Sequence, residues 1–366
     1  MSGFAIGQGF GRTHRSRRSG ALTQHKRVLF IGDSTMFGVG AGVPETTGSG
    51  TGEIAGCRVN AIPDRTAVAL AALGVPATCE ASFQAQGETA ANWPVFDPRT
   101  ANAALVAASE TPTIGGGQQR YNSGGYTQFA PAGSVDTFEL YHPRRSANGS
   151  MKVEIDGNVQ SPISQTVTPN DYVKSVVTTT PGSHTIKLSN NSGTAWAPAI
   201  VAYDSATPSI ICMNAGVRNA TSTDWTVATY PHSPLNAIGV IAPQLAVIAI
   251  GINDARTGTT TVAQFSANVQ AIIDTCRLSG GVILMYPTPI SPGSYRADFT
   301  QAQLNGAYDA LAAANGLALV DSNAATGSYA AMTTASEVYD TFHLHAAPYA
   351  RVAGVAAPAI KGFFGL

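Results

Sequence analysis

Three short stretches of this chain carry residue types suited to acyl-transfer chemistry. Residues 26–31 (KRVLFI) form an apolar run that stops at Gly32-Asp33-Ser34, the pattern of a buried strand ending in a turn. Glycine lets the backbone bend sharply there, and a helix beginning near Ser34 brings main-chain N–H groups close to its hydroxyl. On its own the same tripeptide reads equally well as a capped βα turn. Near the other end, Asp340-Thr341-Phe342-His343 spaces a carboxylate and an imidazole three residues apart in a turn. Side by side, the carboxylate accepts from one ring nitrogen and leaves the other free as a base toward a serine hydroxyl. Alone, the pair also reads as a surface Asp–His contact. His345 is an alternative base, although two residues further on it would face away from Asp340. Between these stretches, Gly251-Ile252-Asn253-Asp254 ends a second apolar strand. The Asn253 amide there either reaches into a cleft as an oxyanion donor or closes an Asx-turn.

The flanking texture says what holds these residues. A helical stretch at 64–73 and a strand at 78–83 follow the Ser34 turn, and a loop-like region runs to about Gly117. From 121 to 204 the period changes to two, in segments at 126–129, 137–141, 152–155, 172–178, 184–188 and 200–203. Asp156-Gly157 between two of these runs is a strong hairpin cue, and the series reads as an antiparallel β-sandwich. After it, strands at 209–213, 245–250, 282–286 and 317–320 alternate with helices at 234–242, 262–276, 299–311 and 346–360. Alternating β and α units imply a parallel sheet covered by helices on both faces, with working residues on loops beyond the carboxyl ends of strands. The expected organisation is a leader at 1–24, an α/β domain at 25–117 and 206–366, and an inserted all-β sandwich at 118–205.

Composition narrows the partners. The chain has 366 residues, 44% of them hydrophobic and only 12% charged, with a formal net charge of −1. A neutral surface gives no global field, so no nucleic-acid partner is expected. No apolar run reaches the roughly 18 residues that span a bilayer, so no membrane partner is expected either. Cys57, Cys79, Cys212 and Cys276 lack CxxC spacing and a His-rich neighbourhood, which argues against a zinc site. Cys57 and Cys79 read either as a disulfide or as free buried thiols. Arg12, Arg15, Arg17 and Arg18 sit in a Gly-rich leader without an apolar signal-peptide core. That leader is flexible unless a homo-oligomer or a larger assembly holds it. An extracellular or virion-associated location without a signal peptide is the expectation.

The motifs FIGDST, AIGIND and YDTFHLH, in that order, resemble blocks I, III and V of the SGNH (GDSL-like) hydrolases. The resemblance covers about 27–89 and 208–360 but not the β insert. It implies a flavodoxin-like three-layer α/β/α fold, with Ser34 as nucleophile, His343 as general base and Asp340 as its partner. It also implies an oxyanion hole built from the Ser34 N–H, Asn253 and one further N–H from block II. Block II departs from the family pattern, and two residues compete for it. Gly87 has the expected type, whereas Asn219 has the expected position and, after glycine, the best tolerance of positive φ. No metal or organic cofactor is implied. The insert is similar in texture to carbohydrate-binding-like sandwiches inside some SGNH esterases, and its Tyr126, Tyr141, Tyr172, Trp196 and Tyr203 read as core or as sugar platforms. Small residues near the serine (Gly38, Gly40, Ala41) suggest a short acyl group. The expected activity is removal of short acyl groups, acetyl foremost, from an acylated glycan. The alternative is a bacteriophage virion protein that binds or trims host surface glycans.

Overall fold

The computed structural model describes residues 21–42, 55–83, 93–107, 113–117 and 119–366. Val28, Leu29, Phe30 and Ile31 are fully buried, as an apolar run must be when both faces of its sheet are covered. Their strand, Lys26–Gly32, lies inside a six-stranded parallel sheet. The strand order is Ala318–Val320, Gly281–Met285, Leu245–Ala249, Lys26–Gly32, Ile210–Asn214 and Ala77–Thr78. The chain therefore leaves Lys26–Gly32 toward one side of the sheet and later builds the other, placing a topological switch point between that strand and Leu245–Ala249. A crevice opens at such a point beyond the carboxyl ends of the strands.

Helices cover both faces. Ile62–Ala72 and Ala346–Phe364 pack over Val28, Phe30, Val247 and Met285 on one face. Pro234–Ile241, Val262–Arg277 and Gln301–Asn315 pack over Leu29, Ile31, Ala246 and Ile248 on the other. Alternate strand residues thus enter opposite cores, as a period of two requires. Thr261 and Thr300 each close a capping box with a glutamine three residues on, which fixes where the second and third of these helices begin. The fold is the three-layer α/β/α arrangement.

The antiparallel part consists of two sheets. One runs Asp171–Gly182, Val135–Arg144, Ala199–Tyr203, Ala81–Ser82, and the other runs Thr100–Ala107, Gln119–Phe129, Ile186–Ser192, Ser150–Ile155, Asn158–Val159. Phe138, Leu140, Ile200 and Ala202 face the second sheet, whereas Tyr141, Tyr172, Ala199 and Val201 join the core of the α/β part. The first sheet is therefore a shared wall, and the sandwich does not stand apart from the α/β domain. Glu139 fastens that wall: it accepts from Arg27 of the central parallel strand and from Tyr141, Lys174 and Tyr203. The Asp156-Gly157 pair forms the expected hairpin turn, both residues having positive φ.

Two boundaries differ from the sequence expectation. The stretch 87–117, expected to be loop, contains the Thr100–Ala107 strand, so the antiparallel part begins ahead of residue 118. Its sequence, TANAALVA, has little β-branched content, and a bulge between Ala103 and Leu105, with Ala104 at φ 46°, breaks the alternation. The expected strand at 78–83 is two short pieces. Ala77–Thr78 closes the parallel sheet and Ala81–Ser82 joins the antiparallel wall. At the crossing Arg99 donates to the Cys79 carbonyl (2.8 Å) and pairs with Glu80 (3.1 Å). All four cysteines are buried and free, so Cys57 and Cys79 do not pair.

Candidate active site

The Ser34 turn is built from the end of the central strand. A side chain at Gly32 would meet Met36 Cβ at 2.5 Å and the Ala249 carbonyl at 2.6 Å, so only glycine lets the helix Ser34–Phe37 start this close to the sheet. Asp33 caps that helix, accepting from the Thr35 N–H and hydroxyl, both at 2.9 Å. Burial pushes the Asp33 carboxyl above its ordinary value, against those two hydrogen bonds. The Trp225 indole donates to the Gly32 carbonyl at 3.2 Å and holds the strand end from the block II side.

His343 comes from the turn before the last helix. Its Nε2 accepts from the Ser34 hydroxyl at 2.9 Å, and its Nδ1 lies 2.8 Å from Asp340 Oδ2. An ionised carboxylate can only accept, so the ring proton sits on Nδ1 and Nε2 is the basic nitrogen. The other Asp340 oxygen accepts from the Phe342 and His343 main-chain N–H groups at 2.7 and 2.8 Å. Burial raises the Asp340 carboxyl, but His343 and the two N–H groups more than offset it and hold the group below its ordinary value. His345 stands at the N-cap position of the final helix without a side-chain capping bond, and the Ser34 hydroxyl bonds His343.

Asn253 follows the strand next to that of Ser34, after Gly251 at φ 123°. Its Nδ2 donates to the Ala220 carbonyl at 2.9 Å, which fixes the amide and leaves its second hydrogen for a ligand. Asn219 has φ 61°, the left-handed conformation that the block II role calls for. Gly87, the competing residue, lies outside the described residues.

Sequence reasoning missed how these loops are joined. Asp254 is fully buried, with its carboxyl raised by desolvation, and accepts from the Ser222 N–H (2.9 Å) and hydroxyl (2.7 Å). It thereby ties the Asn219 loop to Asn253, and its place as the last residue of GIND was the available signal. Gly216 approaches the serine helix so closely that a Cβ would lie 2.3 Å from the Phe37 nitrogen. The small residues after the serine have a packing role: a Cβ at Gly40 would lie 2.5 Å from the Leu344 carbonyl and 3.2 Å from His343 Cβ. Gly40 thus presses the histidine loop against the serine segment, and Gly38 packs on Cys57 and Ala61, so the smallness of both glycines serves packing. In the antiparallel part, Tyr141, Tyr172 and Trp196 are buried, leaving Tyr126 and Tyr203 partly exposed. Among the described residues, no group of three or more His, Cys, Asp or Glu side chains is placed to hold a metal ion.

The structure thus brings Ser34, His343 and Asp340 into one hydrogen-bonded line beside Asn253 and Asn219, an arrangement that could support a serine nucleophile. Residues 177–351 match the sequence model of the GDSL-like Lipase/Acylhydrolase family, and most of the chain superposes on a solved structure of the same fold. Over residues 177–351 this chain is similar to the GDSL-like acylhydrolases. The match begins inside the antiparallel strands and does not include Ser34, which meets the matched segment through its hydrogen bond with His343. The superposed structure is a peptidoglycan O-acetylesterase, 14% identical, with a TM-score of 0.65 over 93% of this chain and 91% of that one. At that identity the likeness concerns the fold, and it includes both the α/β and the antiparallel parts. Looser matches are a lipase/acylhydrolase from Enterococcus faecalis (24% identity, 42% of this chain and 77% of that one, TM-score 0.33) and a family two carbohydrate esterase from Clostridium thermocellum (10%, 71% and 99%, 0.34). No curated protein matches the sequence.

Proposed function

We propose that this GDSL-like domain is a serine esterase that removes short acyl groups, acetyl foremost, from a carbohydrate through an acyl-enzyme. The observation that carries the reading is the unbroken relay from Ser34 Oγ through the His343 ring to Asp340. Ser34 attacks the ester carbonyl as its proton passes to His343 Nε2, and Asp340 stabilises the imidazolium that forms. The Ser34 N–H, Asn253 Nδ2 and the Asn219 N–H hold the oxyanion, each donor contributing roughly 10²–10³ in rate. His343 then returns the proton to the leaving alcohol. A water, losing its proton to the same nitrogen, cleaves the acyl-enzyme and restores the Ser34 hydroxyl.

The carbohydrate half of the reading is supported by the fold. The structure that superposes over both parts of this chain is described as a peptidoglycan O-acetylesterase, so the antiparallel wall beside the α/β domain accompanies glycan deacetylation in that protein. Turnover of 4-nitrophenyl acetate by wild type and Ser34→Ala tests the esterase assignment, and wild type should be faster by several orders of magnitude. Equal rates would end it. Hydrolysis of long-chain 4-nitrophenyl esters alone would end the acetyl version.

A further inference from the structure

Arg256 ends the short helix Ile252–Arg256, which also carries Asn253, and its guanidinium carbon lies 3.9 Å from the centre of the Phe342 ring. Phe342 is the neighbour of His343 in the chain, with their ring centres 6.2 Å apart. The guanidinium thus sits over the ring of the residue that precedes His343. Stacking of this kind leaves the N–H groups, which lie in the guanidinium plane, free to bond at the edge. Nε is buried without a partner, and Arg256, a half-buried residue, makes no hydrogen bond or ion pair with a described residue.

The surrounding charges are already engaged. Asp340 is held by His343 and two N–H groups, and Asp254 faces inward to Ser222. The nearby arginines differ from Arg256 in the same respect. Arg58 donates to the Asn214 carbonyl, and Arg296 donates to the carbonyls of Asp254 and Thr260 and pairs with Asp298. A half-buried arginine held next to the neighbour of the histidine, with no carboxylate of its own among the described residues, is suited to receive an anionic group.

We infer that Arg256 binds a carboxylate on the substrate, on the sugar that carries the ester or on its neighbour, so that the enzyme selects acidic glycans. The inference rests on the proposed glycan esterase activity and names its substrate class. It follows that Arg256 sets KM for acidic polymers while the relay at Ser34 sets the chemistry.

The test compares kcat/KM on O-acetylated polygalacturonate, which carries a carboxylate on each sugar, with that on neutral O-acetylated xylan. Wild type, Arg256→Gln and Arg256→Lys are measured, with 4-nitrophenyl acetate as a probe that lacks the sugar. The acidic-to-neutral ratio should fall about tenfold in Arg256→Gln, the scale of one charge-assisted hydrogen bond, through a rise in KM on the acidic polymer. Arg256→Lys should recover part of it, and added salt should shrink the wild-type ratio. A ratio unchanged in Arg256→Gln would overturn the inference and leave the glycan reading standing. An equal loss on both polymers and on 4-nitrophenyl acetate would also overturn it, showing that Arg256 only props Phe342. Wild type that hydrolyses 4-nitrophenyl acetate but neither polymer would remove the carbohydrate reading, and the inference with it.

Discussion

Replacing Gly40 by alanine asks whether the contact between the serine segment and the histidine loop sets the catalytic distance. Gly40 has φ 90°, and a Cβ there would sit 2.5 Å from the Leu344 carbonyl, 3.0 Å from Tyr339 Cβ and 3.2 Å from His343 Cβ. Ordinary contact begins near 3.4 Å, so the histidine loop must retreat by about 1 Å, because two of the three obstacles are Cβ atoms and the third is backbone. Gly40 belongs to the segment that carries Ser34, and the retreat therefore widens the 2.9 Å gap between Ser34 Oγ and His343 Nε2 beyond hydrogen-bonding reach. A misplacement of that size costs roughly 10² in rate. The backbone strain adds about 1–3 kcal/mol of lost stability. The assay pairs kcat/KM on 4-nitrophenyl acetate with a thermal melt of the same sample. The expected result is a fall in activity of about two orders of magnitude in a protein that still melts cooperatively at a somewhat lower Tm. Full activity in folded Gly40→Ala would refute the claim that close packing at this point fixes the relay.

Three further outcomes follow from the same geometry. Asp340→Asn should lower kcat on 4-nitrophenyl acetate by roughly 10²–10⁴, since the amide can no longer hold the ring proton on Nδ1 or stabilise the imidazolium. Asn219→Gly should keep activity, whereas Asn219→Ala should lose about 1 kcal/mol of stability and several-fold in kcat, because alanine resists φ 61°. A denaturant series and 4-nitrophenyl acetate kinetics check both variants. Asp64 lies buried beside Arg99 at 3.5 Å, and desolvation, partly countered by Arg99, raises its carboxyl to about 7. A raised folded-state value means stability that is complete below the unfolded value of 3.8 and lost as pH rises through about 7. Asp64→Asn should therefore gain Tm relative to wild type between pH 4 and 8, and a difference that stays flat with pH would contradict this.

What was legible in the sequence was local. The run VLFI before Gly-Asp-Ser, the three-residue step from Asp340 to His343 and the Asp156-Gly157 turn each carry their geometry in adjacent residues, and each is present as expected. What was not legible depends on partners far along the chain. Thr100–Ala107 is a strand because Gln119–Phe129 pairs with it, not because its own alanines favour one. Gly40 reads as an open acyl pocket until the loop at 339–344 is seen against it. The Trp225 indole bonds the Gly32 carbonyl, 193 residues away, a contact that only the folded chain shows. Arg256 gave no signal, since an unpaired surface arginine becomes notable only when its stacking partner proves to be the residue beside the catalytic histidine.

The claim that Ser34 is the nucleophile, made so by His343, is tested most directly by covalent labelling. Diethyl 4-nitrophenyl phosphate transfers its phosphoryl group to an activated serine, and peptide mass spectrometry locates the adduct. The account predicts complete loss of esterase activity with one diethylphosphoryl group on Ser34, and little labelling in His343→Ala. Inactivated protein with Ser34 unmodified, or equal labelling without His343, would contradict it.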